Sequence, residues 1–379
     1  MSSATGLAEP DCAIGAPHPR CARQLIGQDA AQAEFLEVFN TGRLHHAWLL
    51  TGPTGVGKAT LAWRIARFLL SQPTREDSGP GLFGEPPPAI AETLDTDPET
   101  PLSRRIEGLA EPRLFLLRRT ETDTGGRLSD DIRVGDVRAL GRFFALSAAD
   151  GGRRVLIVDS IDELNVNAAN ALLKMLEEPP DNVVMLLISH QPARLLPTIR
   201  SRCRTLRLPQ LSPQALAEVL RDIDIDVGTS ADALAELSGG SAGTAIRLSE
   251  AGGLALYAEL LRIADGGDRA AIVGLAERAG ARGAANLQDV LYLLIDIFLS
   301  RLARHGAGQV PLADAAPNER AVLAKLAPTP EAGRTWAALQ ADLSKRISHG
   351  RAVNLDPAAL ILDTVIKISE TAGQTLIRA

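Results

Sequence analysis

Gly52-Pro53-Thr54-Gly55-Val56-Gly57-Lys58 is the stretch from which the rest of the chain can be read. It follows a short apolar run, His46–Thr51 (HAWLLT). It opens a segment with apolar residues at helical spacing, Leu61, Ile65, Phe68 and Leu69. Strand, glycine-rich turn and helix in that order are the setting a phosphate-binding loop requires. Glycines let backbone N–H groups turn inward around phosphate oxygens, and the helix N-terminus favours the anion. Lys58 adds a point charge for the terminal phosphates. Only 5 of the 40 basic residues are lysines, so chance rarely puts one at this position. The candidate nucleotide-binding residues are Gly52, Pro53, Thr54, Gly55, Val56, Gly57, Lys58, Ala59 and Thr60, with Asp159 from a later strand. They leave room for ATP or ADP.

Working outward, a helix is expected over Asp29–Gly42, with Asp29 as its N-cap and Gly42 as its stop. Residues 1–25 are rich in Ala, Gly and Pro and read as a mobile lead-in. Beyond the loop helix, residues 71–112 gather prolines, acids and glycines. They read as an insertion or mobile loop with room for a short helix. Strands are expected at Arg113–Leu117, Arg154–Asp159 (RVLIVD), Val183–Ser189 and Arg204–Leu208. Helices are expected at Val134–Leu146 and at Asn165–Glu178, the latter stopped by Pro179 and Pro180. Strands alternating with helices imply an α/β domain with a parallel sheet and helices on both faces. After Pro209 the strand signals end. Residues 213–251 read as three short helices, and longer amphipathic helices follow from Leu254. The expected division is an α/β phosphate-loop domain over 1–209, a small helical lid over 210–256 and an all-α domain over 257–379.

Composition narrows the function. The 45% hydrophobic and 23% charged balance over 379 residues suits sizeable cores and excludes a disordered chain. With 40 basic against 46 acidic residues and 3% aromatics, neither a broad basic face nor an aromatic stacking platform for nucleic acid is expected. Cys12, Cys21 and Cys203 show no metal-ligand spacing, so no zinc site and no disulfide framework are expected. The first residues lack the apolar core of a signal peptide and the longest apolar runs are far too short to span a bilayer, so a cytoplasmic chain is expected.

The loop departs from a working NTPase in two places. The residue after the lysine should carry a hydroxyl for Mg²⁺, but it is Ala59. Thr60 follows about 100° further round the helix and should point away. Asp159, ending the RVLIVD strand, would hold Mg²⁺ directly or through water, but the next residue is Ser160, too short and neutral to orient an attacking water. Mg²⁺ is therefore expected to bind only weakly, and only with nucleotide. Asp162 and Glu163 read as solvated or capping groups.

Asn170-Ala171-Leu172-Leu173-Lys174-Met175-Leu176-Glu177-Glu178-Pro179-Pro180 closely resembles the clamp-loader branch of the AAA+ ATPases. Ser201-Arg202-Cys203, after the next strand, is the second signature of that branch. The resemblance covers about residues 24–250 well. It covers the last helices weakly, through Asn354-Leu355-Asp356-Pro357. It implies an AAA+ fold, a helical lid and a helical collar for oligomerisation over 257–379. It also implies a pentameric DNA polymerase III clamp loader with delta and gamma or tau subunits as partners. That assembly places a ring-shaped sliding clamp (beta) on primer–template DNA at the expense of ATP.

Within the branch, motor subunits keep the hydroxyl, the Walker B glutamate and a lid arginine. Here Ala59 and Ser160 replace the first two, and Gly243 in Gly240-Ser241-Ala242-Gly243-Thr244-Ala245 stands where the arginine belongs. The resemblance therefore implies a stator with its own hydrolysis lost and no polymerase active site. The alternatives are an active gamma- or tau-like motor, a scaffold without a catalytic part, and a small-molecule kinase. Arg202 is the implied arginine finger, acting in trans on a neighbour's ATP, and Cys203 reads as a buried small hydrophobe. Arg133 and Arg138 are candidate phosphate contacts to DNA. Relatives that carry a four-cysteine zinc module place it where this chain has the cysteine-free stretch 71–112, so no zinc is expected there.

Overall fold

The computed structural model describes residues 9, 12, 15–72, 90–122, 128–145, 152–266 and 269–378. Most of the expected lead-in before residue 15, and residues 73–89 of the proline-rich insertion, lie outside them. The chain separates into two units. One is residues 1–211 with 241–243, the other 212–240 with 244–379.

The first unit runs α1 (Asp29–Asn40), β1 (Ala47–Thr51), α2 (Lys58–Ser71), α3 (Pro101–Glu107), β2 (Leu114–Arg118), α4 (Val134–Ala145), β3 (Arg154–Asp159), α5 (Val166–Glu177), β4 (Val183–Ser189), α6 (Pro197–Arg200) and β5 (Arg204–Arg207). The five strands form one parallel sheet in the order β2-β3-β4-β1-β5. This is the α/β sheet that the alternation of signals implied. Every residue of β1, β3 and β4 is buried, because helices cover both faces of a parallel sheet. Successive side chains alternate between the faces. Trp48, Leu50, Ile157, Leu186 and Ile188 join α1, α2 and Ile106 of α3 in one core. Ala47, Leu49, Leu156, Met185 and Leu187 join α4 and α5 in the other.

Three local expectations change. Asp29 lies inside the first turn of α1; Gln28 occupies the N-cap position and makes no side-chain cap bond. The buried Gln28 amide is used elsewhere, donating to Val56 O at 3.0 Å and Pro209 O at 2.9 Å. The described part of the lead-in is fastened. Buried Arg64 and Arg67 on α2 donate to the carbonyls of Arg23 and Arg20, both at 2.7 Å. The insertion is likewise tied down after residue 90. Arg64 pairs with Asp95 at 2.6 Å, and Leu94 and Ile106 enter the first core. These links join residues far apart in sequence, so local pattern carried no trace of them.

The second unit contains α7 (Pro213–Asp222), α8 (Ala231–Ser238), most of α9 (Ala242–Glu250), α10 (Gly253–Ala264), α11 (Arg269–Gly280), α12 (Ala285–Gly306), α13 (Glu319–Leu326), α14 (Pro330–Ala352) and α15 (Pro357–Arg378). The expected break at residues 256–257 falls inside α10. Helices α12 and α14 pack closely where two glycines meet. A Cβ on Gly306 would lie 2.6 Å from the Gly333 Cα. No helix among the described residues is long and apolar enough to cross a membrane.

Candidate functional site

The carboxyl ends of β3, β4 and β1 lie side by side, since Asp159 pairs with Ile188 and Thr51 with Ser189. In open parallel sheets ligands bind in the crevice outside these ends. The phosphate loop leaves β1 there and enters α2. Its backbone demands glycine twice over. Gly52 has φ +148°, and a Cβ would meet Leu208 O at 2.2 Å; Gly55 has φ +78°, and a Cβ would meet Ser241 Oγ at 2.3 Å. Gly243 N–H donates to Gly55 O at 3.3 Å, so residues 241–243 rest on the loop. Gly243 thus stands beside the loop, but it brings no charge.

Lys58 is 3% exposed, and its Nζ donates to Gly52 O at 2.7 Å and to Pro53 O. Burial pulls its pKa down to about 8, against the partial restoring pull of Asp159 and Asp162. His190, just past β4, is held neutral with a pKa of about 4, by burial first and by the Lys58 charge second. Its Nδ1 and the Ser160 Oγ are buried without a hydrogen-bond partner. Such atoms suit a phosphate oxygen or a water. Asp162 belongs to this region too. Its carboxylate accepts from Ser189 Oγ at 2.9 Å and from the backbone N–H groups of His190 and Gln191. It ties two strand ends together, a role beyond the solvated or capping one expected. The residues present therefore fit a phosphate group. They fit a full Mg²⁺ shell less well, since Ala59 offers no oxygen. Among the described residues, no cluster of His, Cys, Asp and Glu could hold a metal ion.

Lys58 gives a pH test. Between its folded value of about 8 and its ordinary 10.5, the unfolded chain holds a proton that the folded chain has released. Raising the pH through that window therefore favours the native wild type over Lys58→Met. The expected relative gain is about 3 kcal/mol, at roughly 1.4 kcal/mol per pKa unit. Urea titrations of both chains at the two ends of the window measure it. A stability gap independent of pH would contradict the perturbed lysine.

Arg202 lies at the opposite, amino-terminal end of the strands. It precedes β5, whose Arg204 pairs with Trp48 and whose Arg207 pairs with Thr51. The loop begins beyond Thr51. At about 3.3 Å per residue, roughly 15–20 Å of strand separates the two. Arg202 Nη1 donates to Thr198 O at 2.9 Å, and Nη2 lies 2.8 Å from Glu177 Oε1. Burial pushes the Cys203 thiol up to about 12, and Cys203 packs on the second core, consistent with a small hydrophobe. Arg204 stacks over Trp48 at 5.4 Å. Arg138 is exposed and Arg133 half-buried at the start of α4.

Comparisons with known proteins fit this arrangement. A family model described as "DNA polymerase III, delta subunit" matches residues 27–212. DNA polymerase III subunit delta' of Pseudomonas aeruginosa is 39% identical over 204 residues, 54% of this chain and 55% of that protein. The Bacillus subtilis delta' subunit is 31% identical over 183 residues, 48% of each chain. Over these residues the chain is similar to the delta' subunits of DNA polymerase III. It also resembles the DNA polymerase III gamma subunit of Buchnera aphidicola subsp. Schizaphis graminum, at 28% over 205 residues, 54% of this chain and 49% of that one. The chain spans about half the length of the curated relatives it matches.

The loop, Asp159 and the Ser-Arg-Cys segment all fall within the matched residues 27–212, and the match leaves the supporting residues unassigned. Gln28, Glu177 and His190 had no role in the sequence reading, and Asp162 had only a solvated or capping one. Glu177 was visible as part of the quoted Glu-Glu-Pro-Pro turn. The other three are recognisable only once strand ends meet in space.

Proposed function

We propose that this chain is the stator of a DNA polymerase III clamp loader, with its own hydrolysis lost, and that it supplies Arg202 to the nucleotide of a neighbouring motor subunit. One observation carries the reading: Arg202 and the phosphate loop stand at opposite ends of two neighbouring parallel strands, β5 and β1. An arginine side chain cannot bridge that distance, so a phosphate met by Arg202 belongs to another molecule. There its planar, permanently charged fork would offset the charge that builds on the γ-phosphate in the transition state.

Three residues of the chain's own centre support the loss of hydrolysis. Ala59 gives Mg²⁺ no oxygen, Ser160 cannot orient a water, and Gly243 brings no lid charge. Gly52–Thr60 and Asp159 would still hold the phosphates of ATP or ADP in this degenerate site, with Mg²⁺ weakly bound and no zinc. The partners under this reading are the delta and gamma or tau subunits, the sliding clamp and, through the assembly, primer–template DNA. Residues 1–209 would be the AAA+ domain, 210–256 the lid and 257–379 the collar, in the cytoplasm.

The test is reconstitution. The purified chain alone is expected to turn over ATP no faster than a Lys58→Met control. Gamma or tau with delta is expected to load clamps onto primed DNA only when this chain is added. Robust turnover by the isolated wild-type chain, abolished by Lys58→Met, would establish the motor reading instead.

A further inference from the structure

Resting on the trans-finger reading of Arg202, the geometry points to Glu177 as the residue that positions the finger. We propose that Glu177 holds the guanidinium in a presentable orientation before any neighbour arrives. The two side chains come nearest at Nη2 and Oε1, 2.8 Å apart, while Nη1 is taken by Thr198 O at 2.9 Å. Nη1 spends one N–H on Thr198 O, Nη2 stands in the ion pair with Glu177, and the rest of the fork stays available for phosphate oxygens. A bidentate carboxylate would have blocked it.

Glu177 is itself braced. It is the last residue of α5, followed by Glu178 and the two prolines. The carbonyl before it, Leu176 O, lies 3.2 Å from His46 Nε2 at the start of β1, in reach of an imidazole N–H. This contact satisfies one of the carbonyls that a helix end leaves open. Thr198 O serves from the last turn of α6. The finger's two partners therefore sit on helix ends, not on a loose loop.

The pair is also weak enough to release. Side-chain exposure is 35% for Arg202 and 48% for Glu177, and ion pairs this exposed contribute little. A neighbour's polyphosphate would displace the carboxylate easily. What Glu177 contributes is order: a long side chain restricted beforehand loses less freedom on engagement.

The experiment uses the complete clamp loader, reconstituted with each variant and checked for normal assembly. DNA- and clamp-stimulated ATP turnover is measured against ATP concentration. Glu177→Ala is expected to lower kcat three- to fivefold with KM unchanged. Glu177→Gln, which keeps an acceptor oxygen, is expected to restore most of it. In an Arg202→Ala background, Glu177→Ala is expected to change nothing further. An unchanged or raised kcat in Glu177→Ala, or equal losses in Ala and Gln variants, overturns the positioning role. If Arg202→Ala alone has no effect, the finger reading itself has failed, a distinguishable result.

Discussion

Glu319→Ala is expected to cost the second unit about 3–5 kcal/mol, the scale for breaking a buried charge pair from one side. Glu319 is fully buried at the first turn of α13. Its carboxylate accepts from Arg301 Nε at 2.7 Å and Nη2 at 3.1 Å, from Tyr257 OH at 2.5 Å and from Ala315 N–H at 2.7 Å. Arg301 reaches on to Glu236 on α8 at 3.1 Å. Burial pushes the Tyr257 hydroxyl pKa well up, and the adjacent Glu319 charge adds to it. Burial works against the Arg301 charge, but Glu319 outweighs it and keeps the guanidinium firmly protonated. Alanine would leave Arg301 with the Glu236 carboxylate and strip Tyr257 of its acceptor. Denaturant unfolding measures the loss. Removing both ends together, in Arg301→Met with Glu319→Leu, should cost much less than the sum of the single changes, because an unpaired buried charge is what makes each expensive. Additive losses would contradict a coupled network. The network links α8, α10, α12 and α13, so under the collar reading it keeps the oligomerisation unit in one shape.

Arg202→Ala is expected to lower the stimulated turnover of the assembled loader at least tenfold, about 1.4 kcal/mol of barrier. Arginine fingers in other NTPases contribute about 10³–10⁵ in rate. Arg202→Lys should recover little, because an ammonium cannot reproduce the planar fork. The substitution should leave folding almost untouched, since Arg202 is partly exposed and its ion pair with Glu177 is weak.

Much of the fold was written in local pattern. The runs RVLIVD and VVMLLIS could only be central strands, and they are buried along their whole length. Proline pairs and glycines marked helix ends to within a residue or two, as at Glu177. The candidate loop was equally legible, because Gly52, Gly55 and Gly57 hold positive φ that other residues rarely adopt. What stayed hidden depends on contacts across the sequence. Nothing in Asp162's surroundings says that it bridges β3 to the end of β4, and nothing in Arg64 says that it fastens both Arg23 and Asp95. The proline-rich composition of 71–112 also disguised Leu94 and Ile106 as loop residues, although both pack into the core. The opposite placement of Arg202 and Lys58 follows from strand direction. It could be drawn only after the parallel register was known.

Under the proposed function Arg202 acts on a neighbour's nucleotide. The most direct measurement is single-turnover ATP hydrolysis by the complete loader with clamp and primed DNA, comparing wild-type chain with Arg202→Ala in assemblies of equal composition. One class of motor sites is expected to slow at least tenfold while nucleotide affinity changes little. Identical hydrolysis time courses would contradict it and leave this chain a structural member of the ring.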